Sequence, residues 1–360
     1  MKKILFYFNS MQPAGGIERV ISTLANHFCE FMEVTILVKD KAYSHYPLSD
    51  KIKIVSLDSN LELDMNNRIK RIAQSGINLL QSTAKLKHFL ALNQYDLYYL
   101  AHPLNVLEFH LARGINQQVI ITEHGDINAY NDVYKNVKKW LYPKSRSYVV
   151  PTITDANTYE KLDYRVHYIP HFKSKLNYKR SKLESKIALS VGRMTEIKRQ
   201  WILIELWDNL VHKHNILDWK LHLVGEGNLR DEYISKINEC QLQDYIKILP
   251  PIARVEEYYK EATIFLLCSE SEGFGMVLLE AISFGLPCVT YDSPAGPRDI
   301  IENDVNGYLV SIDDFEQFEK STIDLISCKS TILRLSDGAY KSSFKWNDEV
   351  ILETWKKILY

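Results

Sequence analysis

The segment Ser269-Glu270-Ser271-Glu272-Gly273-Phe274-Gly275-Met276-Val277-Leu278-Leu279-Glu280-Ala281 follows an apolar strand signal and runs into a helical pattern. The order reads as strand, glycine loop, helix. A helix start carries N–H groups without intrahelical acceptors and the positive end of a dipole, which suits an anionic ligand. Gly273 and Gly275 would let the backbone approach that ligand closely. Glu272 falls in the loop and Glu280 inside the helix, so the two carboxylates can take hydroxyl groups from different parts of one ligand. Taken alone, Gly-x-Gly is more often a plain strand-to-helix turn with the second glutamate on a solvated face. A second pair of charges, Arg193 and Lys198, lies in Val191-Gly192-Arg193-Met194-Thr195-Glu196-Ile197-Lys198; by itself such a pair is usually solvated surface.

Taken whole, the string from Glu272 through Gly273, Phe274, Gly275 and Met276 to Glu280 and Ala281 resembles the E-x7-E signature of glycosyltransferase family 4. Members of that family have the two-Rossmann GT-B architecture and retain anomeric configuration. The Gly192-Arg193 pair with Lys198 is similar to the family's Gly-Arg and later lysine. The resemblance implies that Arg193 and Lys198 hold the donor pyrophosphate. Departure of a nucleoside diphosphate builds negative charge, and charge-assisted hydrogen bonds from these cations can stabilise it without a metal. No Asp-x-Asp occurs in the chain, so the usual manganese motif of the alternative transferase fold is absent and no metal cofactor is expected. The same resemblance places Glu280 on the ribose. It places Glu272 and the backbone of Gly273, Phe274, Gly275, Met276 and Val277 on the sugar and diphosphate.

Ala14-Gly15-Gly16-Ile17-Glu18-Arg19 is similar to a Gly-Gly-x-Glu-Arg run of the family, so Gly15 and Gly16 are expected at the diphosphate or the acceptor. The bland alternative is a tight turn and helix cap. In Ile121-Thr122-Glu123-His124-Gly125, His124 stands where the family places a histidine near the transferred sugar; its expected role is to position the sugar and shape the charge at the anomeric centre. The chain also departs from the family. Gly296-Pro297 and Asp299 replace the more common Gly-Gly and glutamate, and Arg199-Gln200 follows Lys198. Gly225-Glu226-Gly227 mimics a dinucleotide fingerprint but lacks its third glycine, and is expected only to line the nucleotide pocket.

These residues need two sheets to hold them. The 360-residue chain is longer than one core usually grows, and its 46% hydrophobic content can build two domains. Strand signals recur at Ile4 to Phe8, Val34 to Val38, Ile52 to Leu57, Leu97 to Ala101, Val119 to Thr122, Tyr148 to Pro151 and Val166 to Ile169. A second series runs at Ile187 to Val191, Lys220 to Val224, Ile246 to Leu249, Thr263 to Cys268, Pro287 to Thr290 and Tyr308 to Val310. Alternation with helical patterns predicts an α/β class with parallel, doubly wound sheets. The polar, basic stretch His171 to Lys186 is the expected linker. The predicted domains are an acceptor-binding unit at 1–172 and a nucleotide-sugar unit at 173–345, facing each other across a cleft. A terminal helix within 346–360 is expected to pack back on the first through Val350, Ile351, Trp355 and Ile358.

Lysine plus arginine (44) nearly balances aspartate plus glutamate (45), so nothing in the overall charge selects nucleic acid. The five cysteines Cys29, Cys240, Cys268, Cys288 and Cys328 are odd in number and lack C-x-x-C spacing, which argues against a disulfide framework or zinc site. No signal peptide or membrane-spanning run is read, and a cytoplasmic location is expected. Two segments read as basic amphipathic helices. In Arg68 to Leu92, Ile69, Ile72, Ala73, Ile77, Leu80 and Ala84 accompany Arg68, Lys70, Arg71, Lys85 and Lys87. In Val133 to Arg146, Lys135, Lys138, Lys139, Lys144 and Arg146 surround Val137, Trp140, Leu141 and Tyr142. An apolar stripe is usually a core face; the competing reading is docking on the inner face of the cytoplasmic membrane. The expected function is metal-independent, retaining transfer of a hexose or N-acetylhexosamine from a nucleotide sugar, UDP-linked, to a glycan acceptor in cell-surface polysaccharide synthesis. A polyprenyl-diphosphate-linked glycan or lipopolysaccharide is the expected acceptor class. A sugar-nucleotide epimerase of the same fold and a non-catalytic nucleotide-sugar-binding subunit are the rival readings.

Overall fold

The computed structural model of the chain describes residues 1–13, 15–59, 68–125, 132–252 and 254–360, with backbone alone for residues 68–73. The chain forms two compact units, one of residues 1–172 with 348–360 and one of residues 173–347.

The first unit runs β1 (Lys3–Phe8), α1 (Gly16–Phe28), β2 (Glu33–Val38), β3 (Lys53–Ser56), α2 (Arg68–Leu92), β4 (Leu97–Leu100), α3 (Pro103–Ala112), β5 (Val119–Thr122), α4 (Asp132–Leu141), β6 (Ser147–Val150), α5 (Ile153–Glu160) and β7 (Val166–Tyr168). Its strands make one sheet in the order β3-β2-β1-β4-β5-β6-β7, every pair parallel. β4, β5 and β6 are buried at every position, because helices cover both faces and a parallel sheet so covered needs apolar side chains on each.

The second unit runs β8 (Ile187–Val191), α6 (Trp201–Asp208), β9 (Lys220–Val224), α7 (Arg230–Glu239), β10 (Ile246–Leu249), α8 (Glu256–Glu261), β11 (Ile264–Leu267), α9 (Met276–Ser283), β12 (Cys288–Tyr291), α10 (Gly296–Ile300), β13 (Gly307–Val310), α11 (Phe315–Ser327) and α12 (Lys329–Ser342). Its sheet has the order β10-β9-β8-β11-β12-β13, again all parallel. Strand order reverses direction between β1 and β4 in one unit and between β8 and β11 in the other. At such a switch point adjacent loops diverge beyond the carboxyl ends of the strands and leave room for a ligand.

The last helix, α13 (Asp348–Leu359), completes the core of the first unit. Trp355, 3% exposed, meets Phe28 edge-on at 5.6 Å and Tyr99 at 6.3 Å. Ile351, Trp355 and Ile358 share the buried stripe, whereas Val350 is 64% exposed, since it stands one residue off their helical period. No helix among the described residues is long and apolar enough to cross a membrane. Trp355→Ala should destabilise the first unit by about 3–5 kcal/mol, the usual cost of deleting a buried indole. Urea unfolding followed by circular dichroism measures it; an unchanged midpoint would show that α13 is dispensable.

Candidate active site

Four loops, those after β8, β9, β11 and β12, meet at the carboxyl edge of the second sheet. The first leaves β8 through Gly192, Arg193 and Met194. A Cβ on Gly225 would fall 2.0 Å from the Gly192 carbonyl oxygen, and one on Gly227 would fall 2.2 Å from that of Met194. Both glycines after β9 therefore allow two backbones to touch, and Met194 N–H donates to the Glu226 carbonyl at 2.9 Å. This packing explains Gly225-Glu226-Gly227 without any ligand.

Beyond Thr195 the chain makes a 3-10 turn, Glu196–Lys198, and reverses through Arg199 at φ 53°. Arg199 is turned to Asp313, and the buried Gln200 amide donates to the Arg193 carbonyl at 3.1 Å. The two residues that depart from the family pattern thus hold the arginine loop in place. Arg193 itself is exposed and has no ion-pair partner among the described residues. Lys198 Nζ donates to Glu272 Oε1 at 2.6 Å, with side chains 22% and 9% exposed. The same two loops are also joined by Glu270 N–H to the Ile197 carbonyl at 2.8 Å and by the Cys268 thiol to the Arg199 carbonyl at 3.0 Å.

Glu272 bridges Ala295 of the loop after β12, and a Cβ on Gly296 would lie 2.1 Å from the Phe274 carbonyl oxygen. Only glycine permits that contact; Pro297, in the first turn of α10, has no N–H to leave unsatisfied. Arg298 forks onto Asp292 at 2.9 and 2.8 Å. Gly273 and buried Phe274 lead to Gly275, which caps α9 at φ 86°, a conformation that favours glycine. Met276 and Val277 then open the helix with N–H groups that have no intrahelical acceptor. Glu280 is not on a solvated face: it is 1% exposed, takes the Tyr259 hydroxyl on Oε2 at 2.8 Å and the Ser174 hydroxyl on Oε1. Nothing in the residue pattern signals that Ser174, in the expected linker, reaches α9.

In the first unit, Gly15 stands as the N-cap of α1 and Gly16 opens it, with no side-chain cap. His124 lies two residues past β5. Its Nε2 is 2.8 Å from Thr122 Oγ1 and 3.4 Å from the Tyr99 hydroxyl, while its Nδ1 is buried without a partner among the described residues. The ring stacks on His171 with centroids 5.4 Å apart. Burial holds the His124 imidazole down at about 4 and His171 well below the ordinary histidine value, so both are neutral near pH 7.

Lys138, read as part of a basic outer face, is 3% exposed and pairs with Glu123, itself 2% exposed. Glu123 also takes the Tyr148 hydroxyl at 2.6 Å and the Tyr159 hydroxyl at 3.2 Å. Lys135, Lys139 and Lys144 are exposed beside Trp140, which is 55% exposed and carries Lys144 Nζ 4.6 Å from its ring centroid. In the other basic segment the side chains of Arg68, Ile69, Lys70, Arg71, Ile72 and Ala73 lie outside the described residues, as does Ala14, while Ile77, Leu80, Lys85 and Lys87 are exposed.

Residues 173–342 match the family of glycosyl transferases group 1. Over its whole length the chain is 26% identical to an amylovoran biosynthesis glycosyltransferase, AmsD, of Erwinia amylovora, covering 100% of both. It is 24% identical to GalNAc-alpha-(1->4)-GalNAc-alpha-(1->3)-diNAcBac-PP-undecaprenol alpha-1,4-N-acetyl-D-galactosaminyltransferase of Campylobacter jejuni, covering 100% of this chain and 98% of that one. Among solved structures, a TarM mutant of S. aureus in complex with fondaparinux, alpha-GlcNAc-glycerol and UDP superposes with a TM-score of 0.81 at 15% identity, covering 99% of each chain.

The depressed imidazoles have a consequence for stability. A histidine whose folded pKa lies below its unfolded value of about 6.5 binds fewer protons folded than unfolded between those values, so stability falls as pH falls through that window. His124 alone should contribute a loss of about 2 kcal/mol between pH 7 and pH 4.5. Urea midpoints at the two pH values measure it. His124→Gln should show a smaller difference than the unsubstituted protein; an equal difference would place the titration elsewhere.

Proposed function

We propose that this chain, whose residues 173–342 match the glycosyl transferases group 1 and whose fold is GT-B, moves a sugar from a UDP-linked donor to a glycan acceptor with retention and without a metal. The observation that carries this reading is the convergence of Arg193, the Lys198–Glu272 pair at 2.6 Å and the open N-terminus of α9 at one sheet edge. Cations and free N–H groups suit a diphosphate, and a carboxylate suits sugar hydroxyls.

In this reading Arg193 and Lys198 neutralise the diphosphate. Glu272 and the backbone of Gly273, Phe274, Gly275, Met276 and Val277 hold the sugar and the phosphates, and Glu280 reaches the ribose by exchanging its Ser174 partner. The bond from the anomeric carbon to the diphosphate oxygen breaks while the acceptor oxygen bonds that carbon on the same face. The departing oxygen takes the acceptor's proton, and the two cations stabilise what charge remains. Neutral His124 orients the transferred sugar without adding charge, and Gly15 and Gly16 keep the start of α1 open toward substrate. The first unit takes the acceptor.

A relative named for a PP-undecaprenol acceptor and another named for amylovoran biosynthesis support a lipid-linked glycan and a role in surface polysaccharide synthesis. Such an acceptor brings the enzyme to an anionic membrane leaflet. The exposed Lys135, Lys139 and Lys144 with Trp140 and Val133 of α4 are suited to rest on it.

A panel of UDP-sugars with glycan acceptors, read by mass spectrometry of released UDP and of product, tests the reaction. Transfer should need acceptor and persist in chelator. Lys198→Ala and Arg193→Ala should each lower kcat/KM by about 100-fold or more, as loss of one charge-stabilising donor usually does. A strict divalent-metal requirement, or conversion of the donor sugar without acceptor, would overturn the proposal.

A further inference from the structure

Beneath the switch point of the first sheet lies a buried polar network outside the machinery described above. Lys39, the first residue past β2, gives Nζ to Glu108 Oε1 at 2.6 Å, with side chains 4% and 0% exposed. Tyr7 of β1 donates its hydroxyl to Glu108 Oε2 at 2.8 Å. Asn105, one turn before Glu108 in α3, donates Nδ2 to Asn9 Oδ1 at 2.9 Å and to Glu108 Oε2 at 3.4 Å. Burying an ion pair costs several kcal/mol of desolvation, and apolar residues of like volume usually serve the fold as well.

What the ion pair does supply is orientation. Glu108 can only accept, so the Asn105 amide must turn its NH2 toward it; that NH2 in turn fixes Asn9 with its oxygen inward. Two groups are then left over. Asn105 Oδ1 is a buried acceptor without a donor, in a residue 0% exposed. On the adjoining amide, Asn9 Nδ2 has no acceptor among the described residues, and Asn9 is partly exposed. One open donor and one open acceptor on neighbouring amides match a single hydroxyl, which offers both.

We propose that Asn9 and Asn105, held by Glu108, Lys39 and Tyr7 between β1 and β4, form a subsite for one hydroxyl of the acceptor sugar. The assignment of this hydroxyl to the acceptor rests on the transferase reading above. A buried carbonyl oxygen left unpaired is costly, so a sugar bearing the hydroxyl is favoured over its deoxy analogue. The network carries no net charge to attract a phosphate, since Lys39 cancels Glu108. The occupant is thus a neutral polyol, which meets Asn9 first.

Saturation-transfer NMR on the full chain, with methyl α-glycosides of glucose, galactose, GlcNAc and GalNAc as probes and UDP as internal reference, tests this. At least one glycoside should bind, with affinity about tenfold lower in Asn9→Ala and Asn105→Ala and UDP binding unchanged; tenfold corresponds to the loss of one good hydrogen bond. Asn9 is partly exposed, so Asn9→Ala should keep the thermal midpoint and decides the matter if Asn105→Ala does not fold. Wild-type-like glycoside binding by Asn9→Ala, or no glycoside binding by the wild type, overturns the subsite. Glycoside binding lost in Asn9→Ala together with failure to bind UDP would instead sink the donor reading and leave the polyol site standing.

Discussion

Close backbone contact at the carboxyl edge of the second sheet is the constraint on which the site depends. Gly225 and Gly227 lie on the arginine loop, and Gly296 lies on the Phe274 carbonyl, each at a distance that admits no side chain. With the loops pressed together, Lys198 and Glu272, 74 residues apart in sequence, come within 2.6 Å. Any Cβ at these glycines would push a loop outward, and misplacement of about 1 Å is enough to weaken charge stabilisation severely. The short loops from parallel strands supply the direction; the glycines supply the fit.

Much of this architecture was legible in the chain. Strands covered on both faces read as unbroken apolar runs, so Ile4 to Phe8 and Thr263 to Cys268 announced themselves, and β1 and β11 lie within a residue or two of those limits. The helix after Gly275 was legible because Gly273 and Gly275 end the strand signal just before the helical run Met276 to Ala281. Less legible was which charged residues face inward. Lys138 has the composition of a solvated face, but its phase, between Val137 and Leu141, puts it over the sheet against Glu123. Glu108 gave the same hint, falling next to Phe109 and three residues after Asn105 on the buried side of α3. Composition alone hid both; helical phase could have found them. Ser174 carried no signal, because its reach to Glu280 follows from a path through a stretch without regular structure.

The two units spend buried charge differently. In the second, Glu280 is satisfied by the neutral hydroxyls of Ser174 and Tyr259, and the cation nearest the site, Lys198, remains partly open. In the first, Lys39–Glu108 and Lys138–Glu123 are buried, the former taking the Tyr7 hydroxyl and the latter those of Tyr148 and Tyr159. Removing one partner of such a pair leaves an uncompensated charge in a low dielectric, so each lysine and its glutamate must be kept or lost together. That coupling ties the buried residues of the first unit to one another, whereas exposed Arg193 has no ion-pair partner among the described residues.

The path of α13 has a consequence for biosynthesis. Residues 173–347 are contiguous, so the second unit has all of its strands once they have emerged from the ribosome. The first unit emerges earlier yet lacks Trp355 until the whole second unit has been made, leaving Phe28 and Tyr99 without their cover in the meantime. The order of maturation is thus the reverse of the order of synthesis for this part of the core. The nascent first unit is the stage at which exposed aromatic surface invites chaperone binding or aggregation.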